Sequence, residues 1–430
     1  MALPPIVPVS RKDAIVAMFL NTFMPPGSIQ RSSTRQTVFN WYGDFPIRVG
    51  RSPVFDEALS AFCQLFLGQK YNNPNWIWES QVLYTSASAK ISQCQSLLQM
   101  GSSSVEEELI GAAMAMASYE LYDPSHGLYG WIVQVQLGSG LLEKRGPPTA
   151  EKPLDRNLYR RVRLFTMTDS FLRRKKTFFS LPAWQAASQT GDSYDELLNI
   201  LFHIPTILQL CDEVVESHRE IFSSALGDLL HQFYQTETQL FEWYARLQQN
   251  EPEPLYWVDS TPLSSRPLSE EEDPTLLGLF SGTVLFSNEY VFELVILYWF
   301  GSLMLYTSMA QVYQKVQLQV QFVGIEGLMQ QADRSAAILS FLLRRDIECT
   351  ASHFARLACQ TVAFCLQPTA GAQGFQMMLP TLWAAQEYFR LRSAAHCYYW
   401  CQRVFGVMAK RGYGVGNVAA NIYHLSAMCG

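Results

Sequence analysis

The chain has 430 residues, 48% of them hydrophobic and 16% charged, with a formal net charge of −6. So much apolar material supports a large buried core and excludes an intrinsically disordered protein. The acidic balance excludes a chain whose whole surface grips nucleic acid, because that needs a basic face.

The first nine residues are proline-rich and read as a tail. "MALPPIVPVSRKDAIVAMFLNTF" lacks the basic region and unbroken apolar core of a signal peptide, so the expected location is nuclear or cytoplasmic and not secreted. Helix starts then recur with recognisable chemistry. Ser52-Pro53 and Asn73-Pro74 place a capping side chain before a helical first turn. Ser104 with Glu107, and Ser193 with Glu196, fit the capping box, and Asp273-Pro274 is a further candidate start. Apolar residues at three- and four-residue spacing predict helices over 53–67, 75–99, 105–121, 155–179, 193–216, 219–247, 284–314, 333–347, 349–366 and 376–410. Strand-like alternation is scarce and Asn-Gly hairpin dipeptides are absent. The expected fold class is all-α: one large multi-helix domain over 10–430. A Pro-, Ser- and acid-rich loop over 250–275 divides it into helical halves.

The stretch 294–314 has no charge over 21 residues. It is long enough to span a bilayer. Glu289 and Glu293 precede it, however, and Ser, Thr and Gln are spread through it. A central core helix is expected, with no membrane association.

Nine cysteines (Cys63, Cys94, Cys211, Cys349, Cys359, Cys365, Cys397, Cys401 and Cys429) are scattered, and no CxxC occurs. This argues against a disulfide framework and a four-cysteine zinc site, and favours reduced, buried thiols. No HExxH, GxSxG, GxGxxG or GxxxxGK[ST] occurs, so no metal site, cofactor or nucleophilic triad is assigned, and whether the chain is an enzyme is left open. Residues 151–176 carry nine basic residues against three acids. The expected reading is a core helix with a basic outer side along Arg156, Arg160, Arg163 and Arg174. Within it, Arg173, Arg174, Lys175 and Lys176 form a candidate nuclear-localisation cluster. Direct sequence-specific DNA binding is not expected, because it needs base-reading groups too. Asp212 and Glu216 lie one helical turn apart with Glu213 beside them. Paired carboxylates of this kind can hold Mg²⁺ with phosphates, but no second acidic motif follows and an exposed helix face is expected. "LYWFGSLMLY" (297–306) and "AHCYYWCQ" (395–402) are dense in aromatics. Core packing accounts for most of these residues. If they frame a pocket for an apolar small molecule, its residues are Tyr298, Trp299, His396 and Tyr399.

Three segments together resemble the regulatory region of fungal zinc-cluster (two-zinc, six-cysteine) transcription factors. They are 52–68; 118–148, with Tyr119-Glu120-Leu121 and then Gly138, Leu141, Leu142, Arg145, Gly146 and Pro147; and 400–425, with Arg411-Gly412. The segment 163–184 is similar to that family's long helix leading to a Pro-x-Trp. The chain departs from the family in having no cysteine before Cys63, so the DNA-reading zinc cluster cannot form from it. It also has Gln134-Val135-Gln136 where the family carries a His. The resemblance implies a helical regulatory body without its own DNA-binding module, in the nucleus of a fungus and tied to a secondary-metabolite pathway. It would act through a protein partner, either the transcriptional machinery or a DNA-binding regulator. Three other readings stand beside it: a fragment of a longer gene product, a scaffold recruited as a natural-product enzyme of cyclase or isomerase type or as a ligand-binding protein, and a plain scaffold for protein assembly.

Overall fold

The computed structural model describes residues 10–24, 40–97, 103–216, 224–259, 279–329, 340–344, 346–367 and 370–416. The 1–9 tail, most of the 250–275 loop, Asp273-Pro274, most of the expected 333–347 helix, Cys429 and the end of the 400–425 segment lie outside them. The fold is all-α with one small two-stranded sheet. The chain forms two compact units. One comprises Met1–Thr166, Pro368–Gln373 and Phe405–Asn421; the other comprises Met167–Gln367, Gly374–Val404 and Ile422–Gly430.

The first unit begins with α1 (Arg11–Phe23), where Ser10 caps the helix by accepting from the Asp13 amide at 3.2 Å. Two short helices follow, α2 (Asn40–Gly43) and α3 (Phe45–Arg48). Then come α4 (Pro53–Lys70), α5 (Pro74–Leu97), α6 (Ser103–Glu120) and α7 (Gly127–Arg145). Asn73 caps α5 as expected, its Oδ1 accepting from the amides of Asn75 and Trp76. Ser52 occupies the cap position of α4, but its side chain makes no capping bond.

Helix α4 packs on α5 and α6, and α6 on α7. The alanines of "GAAMAMAS" make the close approach of α6 feasible: Ala112, Ala113, Ala115 and Ala117 are all buried. Beside them Phe19, Phe23, Tyr42, Phe62, Phe66 and Tyr122 form one aromatic cluster, with Phe19 and Phe62 centroids 5.0 Å apart. Edge-to-face and tilted pairs of this kind stabilise beyond their buried area. The dipeptides Arg145-Gly146 and Arg411-Gly412 lie at helix ends. Gly146 (φ +86°) and Gly412 (φ +98°) take the left-handed turn that only glycine adopts cheaply. Arg145 then reaches the carbonyls of Lys152 and Pro153 at 3.2 and 2.6 Å.

Helix α8 (Arg156–Arg173) buries Leu158, Val162, Phe165 and Leu172 as the spacing predicts. The expected basic outer side is corrected in part: Arg156 is exposed and Arg174 half-buried, but Arg160 and Arg163 are fully buried, as is Arg161 beside them. Arg161 donates to Tyr42 Oη and, at 3.1 Å, to Ser118 Oγ, and its guanidinium lies 3.9 Å from the Phe165 ring centroid. Helical periodicity separates apolar from charged, but it cannot separate a solvated arginine from one laid flat on aromatic rings.

The second unit contains α9 (Pro182–Ala187), α10 (Ser193–Leu201), α11 (Ile204–Glu216) and α12 (Ser224–Asn250). The expected 193–216 helix therefore breaks at Phe202 and His203, where Pro205 opens a new first turn. Its cap is Asp192, whose carboxylate accepts from the Tyr194 amide at 2.9 Å, and Ser193 is the first helical residue. Strands β1 (Tyr256–Asp259) and β2 (Thr283–Phe286) pair antiparallel, Tyr256 opposite Phe286 and Asp259 opposite Thr283.

Helix α13 (Glu289–Met329) is the core of this unit. Helix α14 (Ile347–Gln360) packs on it, and α15 (Val362–Cys365), α16 (Gly371–Leu391) and α17 (Ala395–Lys410) follow in the chain, the last two with residues in both units. Among the described residues, two helical stretches, 193–216 and 289–318, are long and apolar enough to cross a membrane by length and composition, and 83% of the apolar window in the second is buried inside the protein. Burial of that kind is what a core helix of a large helical unit requires.

Candidate functional site

Four side chains on α13 and α12 converge on a cavity of about 290 Å³ within the second unit: Tyr298, Ser302, Tyr306 and Glu237. Thr238, Leu240 and Phe241 complete its lining. The helical repeat explains the grouping, because 298, 302 and 306 are successive turns of one face, as are 237 and 241. Tyr298 stacks on Tyr244, with ring centroids 4.6 Å apart and planes 17° apart. Burial pushes the Tyr298 hydroxyl up to about 12, against the lowering effect of its bond to Ser302. It therefore stays a neutral phenol that can both donate and accept.

Glu237 is held from behind. Tyr306 Oη donates to its Oε1 at 2.5 Å, and Arg344 donates to both oxygens at 2.9 and 2.8 Å. Arg344 also holds Asp346 through Nε and Nη2, both at 2.6 Å. These bonds to carboxylates raise the Arg344 guanidinium further above its ordinary value and lower Asp346 below its own. Burial first, and then the bond to Glu237, raises the Tyr306 hydroxyl. The cavity thus has aromatic walls and hydroxyl tips, with one carboxylate fixed by a two-pronged ion pair.

The structure does not bring the four aromatic candidates together. Tyr298 lines the cavity. Its neighbour Trp299 is fully buried and packs edge-on to Tyr256 at 5.0 Å and against Phe286. On α17, His396 is exposed and Tyr399 is 61% exposed. Of the basic cluster, Arg173 is bound to Asp169 and Arg174 to Asp212 at 2.7 Å, while Lys175 and Lys176 are exposed. The Asp212 carboxylate of the acidic group is therefore engaged by an arginine.

A second polar cluster escaped the sequence reading. It lies in the first unit, within residues 118–148. Glu120 has no solvent-exposed side-chain surface. Its Oε1 accepts from Tyr84 Oη and meets His126 Nδ1 at 3.2 Å. Gln134 Nε2 donates to Tyr84 Oη at 3.1 Å. Gly130 makes the arrangement feasible, because a Cβ there would lie 2.1 Å from Glu120 Oε2. The local signal was a Glu six residues before a His with a Gly four further on, which is too common a pattern to single out.

Burial raises the Glu120 carboxyl above 4.5; Tyr84 and His126 pull it back, and Asp123 adds to the rise. A raised carboxyl binds its proton more tightly in the folded state. Its contribution to stability is complete below the unfolded value and is lost as pH rises through the folded one. Glu120→Gln keeps an oxygen for Tyr84 and His126 and cannot titrate. Its stability relative to the native chain is expected to increase as pH rises from about 4.5 toward neutrality. Urea unfolding of both chains across that range checks this, and a flat difference would rule out a buried, proton-retaining Glu120.

Comparison of the chain with known proteins returns no match to a family model, to a curated protein or to a solved structure.

Proposed function

We propose that this protein is a transcription-factor-like regulatory body that acts through a protein partner and responds to a small molecule held in the Tyr298–Tyr306 cavity. The observation that carries the ligand half is that cavity, where aromatic walls and four hydroxyls surround a carboxylate fixed by Arg344. Few, well-placed polar groups in an otherwise apolar hollow are the usual form of a small-molecule site. The cavity supports binding better than catalysis, because Arg344 and Tyr306 already hydrogen-bond both Glu237 oxygens. The regulatory half rests on the order and spacing of the three family-like segments. The exposed pair Lys175 and Lys176 is the part of the basic cluster that a nuclear-import receptor would reach.

Deleting the gene in its native host tests the reading, with transcripts of neighbouring genes and the metabolite profile measured together. The expected result is a collapse of neighbouring transcripts, restored by the native chain and not by Tyr298→Ala. Steady transcripts with one accumulating intermediate would instead make the chain an enzyme of that pathway.

A further inference from the structure

The charge balance around the cavity narrows its ligand further, on the condition that the cavity binds a small molecule at all. Among the described residues, Arg344 is the one cation bonded to its carboxylate, and four of its N–H donors are spent on Glu237 and Asp346. Among the described residues, one guanidinium against two carboxylates leaves the cluster with an excess negative charge, Asp346 being the more exposed of the two carboxylates. The side facing the cavity is Glu237, flanked by the rings of Phe241, Tyr298 and Tyr306. Phe241 is 69% exposed, so one aromatic ring stands at the rim with no protein packed over most of it. A carboxylate among aromatic rings attracts a positive charge twice, through Coulomb attraction and through the negative ring faces. An anion would meet Glu237 with its arginine already committed. A neutral molecule would gain only the apolar contacts and the hydroxyls of Thr238, Tyr298 and Ser302.

We propose that the cavity takes a small organic cation: an amine or quaternary ammonium carried on a flat apolar body, with the charge beside Glu237 and the body against Tyr298 and Phe241.

Three probes with one body and different charge test this on the intact chain by titration calorimetry: phenethylamine, 2-phenylethanol and phenylacetate. The amine is expected to bind more tightly than the alcohol by about tenfold or more, the acid more weakly than either, and added salt to weaken the amine alone. Tyr298→Ala is expected to abolish amine binding. Equal binding of alcohol and amine, or a preference for the acid, would overturn the cation assignment while leaving the cavity a ligand site. Amine binding undiminished in Tyr298→Ala would place the amine elsewhere and overturn the proposal. If no probe binds the native chain, the ligand reading falls and the cation assignment falls with it.

Discussion

Replacing Arg161 with alanine is expected to destabilise the first unit by about 3–5 kcal/mol, the range for breaking a fully buried, bonded charge. The side chain has no exposed surface, donates to Tyr42 and Ser118, and lies over Phe165, with Tyr42 and Trp41 at 4.9 and 5.6 Å. Truncation removes the donors to two buried hydroxyls and opens a cavity among three rings, and the two costs add. Lysine should not rescue the site. A single ammonium cannot lie flat on Phe165 and reach both hydroxyls, whereas a guanidinium can do both at once. Methionine should recover part of the loss, because it refills the volume without a charge to desolvate. Urea unfolding followed by hydrogen exchange in α2, α6 and α8 reads the effect. A loss below about 1 kcal/mol would mean that Arg161 behaves as a solvated surface charge.

Arg161 also marks a boundary of what the sequence made legible. The helices were readable because apolar spacing and capping chemistry act within one or two turns, and Asn73 caps α5 where the sequence placed it. Breaks inside helices were less legible. Ser393 takes φ +55° between α16 and α17, and no residue type announces that turn. The β1–β2 ribbon was missed because each strand has four residues, too few to show an alternation. Buried arginines were missed because a charge pattern records sign and spacing, and burial depends on what packs over it.

The candidate cavity was half legible for the same reason. Tyr298 was found because it belongs to a dense aromatic stretch. Glu237 and Arg344 were not, since they lie 107 positions apart and only the fold joins them. His396 and Tyr399 entered the candidate set through local density alone, which says nothing about the direction a helix turns them.

Tyr298 and Trp299 separate these two kinds of information in adjacent residues, and Trp299→Ala is expected to cost about 3–5 kcal/mol, as for a large buried aromatic cut back to alanine. One step along a helix rotates a side chain by about 100°. Tyr298 thus faces the cavity while Trp299 faces the β1–β2 ribbon, against Tyr256 and Phe286. An isolated pair of four-residue strands is at best marginal in water, so the ribbon depends on this contact. Its amides should therefore lose exchange protection in Trp299→Ala before those of α13 do. Trp299→Phe should cost less than half as much, because it keeps an aromatic ring against the ribbon. It also removes an indole N–H that finds no acceptor among the described residues. Tyr298→Ala should show the opposite profile: a smaller loss of stability, ribbon protection intact and the cavity's ligand lost. If Trp299→Ala instead abolished ligand binding while the ribbon stayed protected, the division of labour between these two neighbours would be the reverse of the one their side-chain directions define.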